Sequence, residues 1–158
     1  MANPALESVH YPFTAFNFSI EISKEGEANR LCNAAFSDCD GLEMTMDVKT
    51  IREGGANGRS IRLTGPLTYG QLTLKRGMTA SSDLWDWFAA VVIDPSIRAS
   101  AEVVMLAPNG SERARFVLER CVPVKLKAPP LNAKDGAVAI EELQIAYESV
   151  TRKAVGLA

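Results

Sequence analysis

Hydrophobic and polar residues alternate one by one along much of the chain. Phe16, Phe18, Ile20 and Ile22 interleave with Asn17, Ser19 and Glu21. Successive side chains of a strand point to opposite faces, so this segment is expected to be apolar on one face and polar on the other. Leu42, Met44, Met46 and Val48 alternate in the same way with Glu43, Thr45, Asp47 and Lys49, and the pattern returns at Ile61 and Leu63 and at Leu72 and Leu74. Between Ile51 and Ile61 stands Arg52-Glu53-Gly54-Gly55-Ala56-Asn57-Gly58-Arg59. Its glycines and asparagine tolerate positive φ, which predicts an extended hairpin with strands over 43–51 and 61–75. The apolar face of that hairpin, with Leu42, Met44, Met46, Leu72 and Leu74, is expected to pack on a helix.

That helix is where the period changes. Leu84, Trp87, Phe88, Val91 and Val92 fall on one stripe at a spacing of three and four, which predicts a helix over about 81–93. Ser81 or Ser82 is expected to cap it, Asp83 suits the positive end of its dipole, and Asp94-Pro95 stops it. Alternation resumes at Ala101, Val103 and Met105 and, after a turn at Pro108-Asn109-Gly110, at Ala114, Phe116 and Leu118. Val122, Val124 and Leu126 follow, with Pro123 pointing to an edge or a bulge. Over 138–150 the alternation changes face at Glu141-Glu142. A bulged strand accounts for this, and a short helix carrying Ile140, Leu143 and Tyr147 is the alternative. The fold class is mainly β with one helix on the sheet.

The length of 158 residues suits one domain, 1–158, with a flexible N-terminal segment over 1–12. With 17 basic against 19 acidic residues, net −2, an overall basic surface for nucleic acid is excluded. No apolar run reaches the roughly 18 residues of a membrane span, and the first 14 residues lack a secretory pattern, so synthesis and assembly in the cytoplasm are expected. Three cysteines, an odd number, do not form a disulfide framework.

Candidate chemistry is sparse. Gly54 and Gly58 enclose three residues and Arg59 follows, whereas a phosphate-binding loop needs four, then lysine, between a strand and a helix. Cys32, Cys39, Cys121 and His10 lack the close pairing of zinc ligands, and His10 alone would have to support any Ser–His or Cys–His nucleophile. Glu141 and Glu142, adjacent in a strand, point to opposite faces. Trp87 belongs to the helix stripe, leaving Trp85 free to meet a partner. No catalytic, cofactor or metal site is expected.

One order of motifs is distinctive. Tyr11-Pro12-Phe13 precedes the first strand. Phe36-Ser37-Asp38-Cys39-Asp40-Gly41-Leu42-Glu43, Ile51-Arg52-Glu53-Gly54-Gly55, Leu72-Thr73-Leu74-Lys75-Arg76-Gly77, Leu84-Trp85-Asp86-Trp87 and Leu131-Asn132-Ala133 follow, and Val138-Ala139-Ile140-Glu141 closes the series. This order resembles the phage tail tube protein family, in particular the inner-tube proteins of contractile injection systems, from about residue 12 to residue 148.

The resemblance implies two packed antiparallel β-sheets, nearly barrel-like, with one flanking helix, and favours a strand over 138–150. It further implies hexameric rings whose hairpins join into a β-lined channel and stack into a hollow tube. The partners it implies are a sheath that expels the tube, a baseplate or spike, a terminal cap and possible cargo in the lumen. The stretch 23–34 is longer than the family pattern. Within this frame Glu43, Thr45, Asp47 and Lys49 are expected to face the lumen. Residues 52–59 are expected at the contact between stacked rings, with Lys75, Arg76 and Trp85 at a subunit interface. A virion tail tube, a baseplate or initiator ring, and a monomeric β-barrel holding a small ligand are the competing readings.

Overall fold

The computed structural model describes residues 12–55 and 58–155. His10, Ala56 and Asn57 therefore lie outside the described residues, as does all of the expected flexible segment 1–12 except Pro12. In chain order the elements are β1 (Phe18–Lys24), β2 (Arg30–Ala34), β3 (Asp38–Asp40), β4 (Met44–Arg52), β5 (Ser60–Tyr69), β6 (Gln71–Gly77), α1 (Asp83–Ile93), β7 (Ala99–Leu106), β8 (Glu112–Lys127), β9 (Ile140–Ala146) and β10 (Ser149–Lys153).

Eight strands form one continuous antiparallel sheet in the order β2-β1-β7-β8-β9-β6-β3, with β10 also on β8, and β4 and β5 pair only with each other. The long β8 makes two layers out of this one sheet. Its first part pairs with β7 and β10, and its second with β9. At the change, Ala101 faces Leu118 and Ala99 faces Cys121, so Glu119 and Arg120 stand opposite Ser100 alone. Arg120 takes φ 53°, a left-handed conformation unusual for a residue with a side chain. Such a bulge bends a strand and increases its twist. It also shifts the burial phase, since Ala114 and Leu118 are buried before it and Cys121 and Pro123 after it.

The two layers close on one core. Ile20, Ile22, Ala101, Val103 and Leu118 meet Leu72, Leu74, Leu143 and Ile145, and Leu84 and Trp87 cover it from α1. Each buried leucine, isoleucine or valine side chain here contributes roughly 1.5–3 kcal/mol.

The segment 138–150 holds the strand that the resemblance favours, without the expected bulge. β9 begins at Ile140 and pairs with β6 without a break, so it contains no bulge. Glu141, Leu143, Ile145 and Tyr147 share the buried face, and the apparent change of face is a glutamate placed in the interior.

The helix occupies the expected span and ends before Asp94-Pro95, packing on β2 and β8. Two details differ. Ser82 makes no capping bond; its hydroxyl donates to Asp86 at 2.9 Å, and the Leu84 amide donates to Asp83 instead. Val92 is 69% exposed and Ile93 is exposed too, so the fully buried helix residues are Leu84 and Trp87, with Val91 packed partly against the core. The unusual 23–34 stretch is a local hairpin, β2 returning on β1 around Gly26.

Candidate assembly interface

The predicted hairpin exists, yet it ends earlier than expected and, beyond its root, stands largely exposed. β5 stops at Tyr69, and Leu72 and Leu74 belong to β6 in the core. Every residue of β4 is exposed, with Met44 at 61% and Val48 at 57%. The expected packing of Met44 and Met46 on the helix is therefore replaced by a two-stranded arm leaving the body. Nine extended residues make it about 30 Å long.

The arm is fixed at its root. The Tyr147 hydroxyl donates to the Gly41 carbonyl at 2.7 Å, the Glu43 amide donates to that hydroxyl at 3.1 Å, and the Gly70 amide donates to the Glu43 carbonyl at 3.2 Å. The Tyr69 and Tyr147 rings meet with centroids 5.8 Å apart. Gly41 turns the chain into the arm at φ +100°, where a Cβ would collide with the Gln71 carbonyl oxygen. Only glycine fits there.

Register shows how the arm's two faces differ. Met44 faces Tyr69 and Met46 faces Leu67, but Val48 faces Thr64, so Gly65 and Pro66 stand opposite Asp47 alone. Directly paired residues share a face. The apolar side near the root thus carries Met44, Met46, Val48, Leu67 and Tyr69, and toward the tip it carries Thr50, Arg52, Arg62 and Ser60. The other side carries Thr45, Thr68, Asp47 and Lys49 near the root, then Ile51, Ile61 and Leu63. The expected lumen residues Thr45, Asp47 and Lys49 do share one face, with exposed Glu43 at the root. Ile51 and Ile61 share it too, so the apolar surface changes sides along the arm.

Charge also changes along it. Lys49, Arg52, Arg59 and Arg62 lie toward the tip with Glu53, while Asp40, Glu43 and Asp47 lie toward the root; among the described residues none of these is in a salt bridge. On the body, Asp38, Lys75, Glu142 and Lys127 are successive partners across β3, β6, β9 and β8, a row of alternating sign.

Of the three expected subunit-contact residues, Lys75 is exposed and Trp85 is 38% exposed, but Arg76 is 3% exposed and serves the interior. Its position follows from parity with Leu72 and Leu74, whose side chains all point inward. Arg76 Nε donates to Glu141 Oε1 at 2.5 Å, and Nη2 donates to Asp83 Oδ1 at 2.6 Å. The Cys32 sulfur lies 3.3 Å from Nη1, and the Phe36 ring lies 5.9 Å from the guanidinium carbon. The Trp85 indole N–H donates to Glu141 Oε2 at 3.1 Å. Burial works against the charged guanidinium, but its hydrogen bonds to Asp83 and Glu141 outweigh burial and hold the Arg76 pKa above its ordinary value.

The cysteines sit apart in unreactive surroundings. Burial, with Asp83 beside it, pushes the Cys32 thiol up to about 12; burial pushes Cys121 up to about 12, and burial with Asp40 pushes Cys39 up to about 11. Among the described residues no three His, Cys, Asp or Glu side chains are grouped to hold a metal. No described helix is long and apolar enough to cross a membrane.

A curled sheet with a projecting, unpaired two-stranded arm defines a building block for an assembly of like copies. Residues 14–151 match the family model of the T4-like virus tail tube protein gp19. The chain belongs to that family and is a structural tube subunit.

Solved structures agree. A chain of the anti-feeding prophage baseplate, 6-fold symmetrised, is 26% identical over 94% of this chain and all of its own, with a TM-score of 0.82. A chain of the PVC sheath-tube complex in its extended state is 18% identical over 98% of this chain and all of its own, at 0.79. Hcp1 from Flavobacterium johnsoniae shares the fold at 0.51, with 14% identity over 87% of this chain and 96% of its own. No curated protein matches the chain.

Proposed function

We propose that six copies close into a ring through their arms and that rings stack into the inner tube of a phage-tail-like injection particle. The observation that carries this reading is the arm itself: among the described residues β4 and β5 pair with no further strand, and nearly all of their residues are exposed. An unpaired edge is a template for another strand, and monomeric proteins normally blunt or cover it. Ring closure pairs every edge at once, and a head-to-tail contact closes only if its rotation returns to the start.

In such a ring the side bearing Thr45, Asp47 and Lys49, with Glu43 at the root, lines a wet channel. The side bearing Met44, Met46 and Val48 lies against the neighbouring copy. Residues 52–59 reach the next ring, and Lys75 and Trp85 meet an adjacent subunit. The likeness to the anti-feeding prophage chain favours an injection particle over a virion tail. The matching partners are a sheath around the tube, a baseplate or spike at one end and a cap at the other. Assembly takes place in the bacterial cytoplasm, the whole chain acts as one tail-tube unit, and it catalyses nothing.

Size-exclusion chromatography followed by negative-stain microscopy tests this. Six-membered rings or tubes are expected, and a compact species near 17 kDa with no cyclic neighbours overturns it.

A further inference from the structure

We infer that the basic tip of each arm docks on the acidic arm root of a copy in the next ring, so that stacking is electrostatic and runs in one direction. The inference rests on the ring-stacking reading and names the surface that receives the tip.

Tip and root carry opposite charge, one arm's length apart. Arg52, Arg59 and Arg62 crowd the tip, with Glu53 as the acidic residue among them, and Asp40 and Glu43 lie where the arm leaves the body. Asp38, close by, stands directly across from Lys75 on β6. Asp40 Oδ1 accepts only the neighbouring Gly41 amide, and the Glu43 carboxylate has no salt bridge among the described residues.

Root and tip are separated by the arm's length, about 30 Å for nine extended residues. They are too far apart to neutralise each other within one chain, being beyond the Debye length of about 8–10 Å at ordinary ionic strength. A second copy displaced along the arm by that length brings its root to this tip with opposite sign. A copy stacked the other way sets tip against tip and root against root. Like charges then repel, which excludes the inverted arrangement. Each exposed pair is weak, but a ring repeats it at every subunit of one junction.

A charge swap tests the pairing. The tip variant carries Arg52→Glu and Arg59→Glu; the root variant carries Asp40→Lys and Glu43→Lys. Each alone is expected to form rings but to need about tenfold more protein to elongate, since the weak contact is lost at every position of the ring. Mixed together they are expected to form long tubes, because each tip then meets a root of opposite sign.

A mixture that stays as rings overturns the pairing, and so does either variant elongating like the original protein. Failure of the original protein to form rings at all instead overturns the proposed function. The unaltered protein supplies a test independent of variant folding. Raising sodium chloride from about 50 mM to about 500 mM is expected to shorten its tubes while rings persist. Tubes of unchanged length overturn the inference.

Discussion

Arg76 and Glu141 face each other in register across β6 and β9, with Nε 2.5 Å from Oε1, and both side chains are almost closed to solvent. Through Asp83 and Trp85 the same cluster reaches the first turn of α1. One buried guanidinium thereby ties the helix to two strands of the body. A buried charge pair of this kind contributes little relative to an apolar pair, but losing one partner leaves the other charge stranded.

Arg76→Ala is expected to cost about 3–5 kcal/mol, and Glu141→Ala a similar amount. The double replacement Arg76→Met with Glu141→Leu is expected to cost less than either single change. Urea denaturation followed by circular dichroism checks the order; a double variant less stable than both singles would contradict it.

Stability should fall in acid, with Asp83 as one cause. Burial disfavours its charged form, yet hydrogen bonds from Arg76 and Cys32 and the Leu84 amide outweigh burial and hold its pKa below the usual carboxylate value. A depressed carboxylate contributes stability that is present above the unfolded pKa of about 3.9 and is lost as pH falls through the folded value. Asp83→Asn is therefore expected to be less stable than the original protein at pH 7. The gap narrows steadily below about pH 4. Urea midpoints taken across that range read it directly.

The three thiols should resist alkylation in the folded protein. With Cys32 and Cys121 pushed up to about 12 and Cys39 to about 11, almost no thiolate exists at neutral pH. Iodoacetamide treatment followed by mass spectrometry is expected to show little labelling when native and three labels when unfolded. Rapid native labelling of Cys32 would mean that the pocket around Arg76 opens.

Tyr147→Phe removes the hydroxyl that joins the Gly41 carbonyl and the Glu43 amide, a change of about 1 kcal/mol. Its consequence is local. Hydrogen exchange at Glu43 and Gly70 is expected to quicken while β7 and β8 keep their protection, and uniform acceleration would count against a root-specific role.

Replacing Arg52 and Arg59 by alanine lowers the positive charge of the tip and is expected to weaken stacking more than ring formation. Micrographs showing tubes of normal length would remove the tip from the ring-to-ring contact.

The sequence made the strands legible wherever a face was either buried or wet, because alternation records that directly. Ile20 and Ile22, Ala101 and Val103, and Leu72 and Leu74 all lie as their spacing implies. It misled where polarity and burial part company. Glu141 looked like a change of face, although its parity with Leu143 and Ile145 places it inside; Arg76 shares the parity of Leu72 and Leu74 in the same way. Recognising two inward charges of opposite sign on different segments would have paired them.

The arm departs from its expected packing for the opposite reason. Alternation in Met44, Met46 and Val48 looks the same whether the apolar side packs on the chain's own core or awaits another copy. Which residues share a face could be read, except beyond Asp47, where Gly65 and Pro66 together oppose one residue and reverse the sides.

That unattached arm bears on how quickly particles appear. In the assembly proposed here, the first ring must order several arms with no template, while every later subunit settles on arms already set in place. Growth would then begin after a lag that shortens when preformed rings are added as seeds, and the start of a tube, more than its lengthening, becomes the step a cell can control.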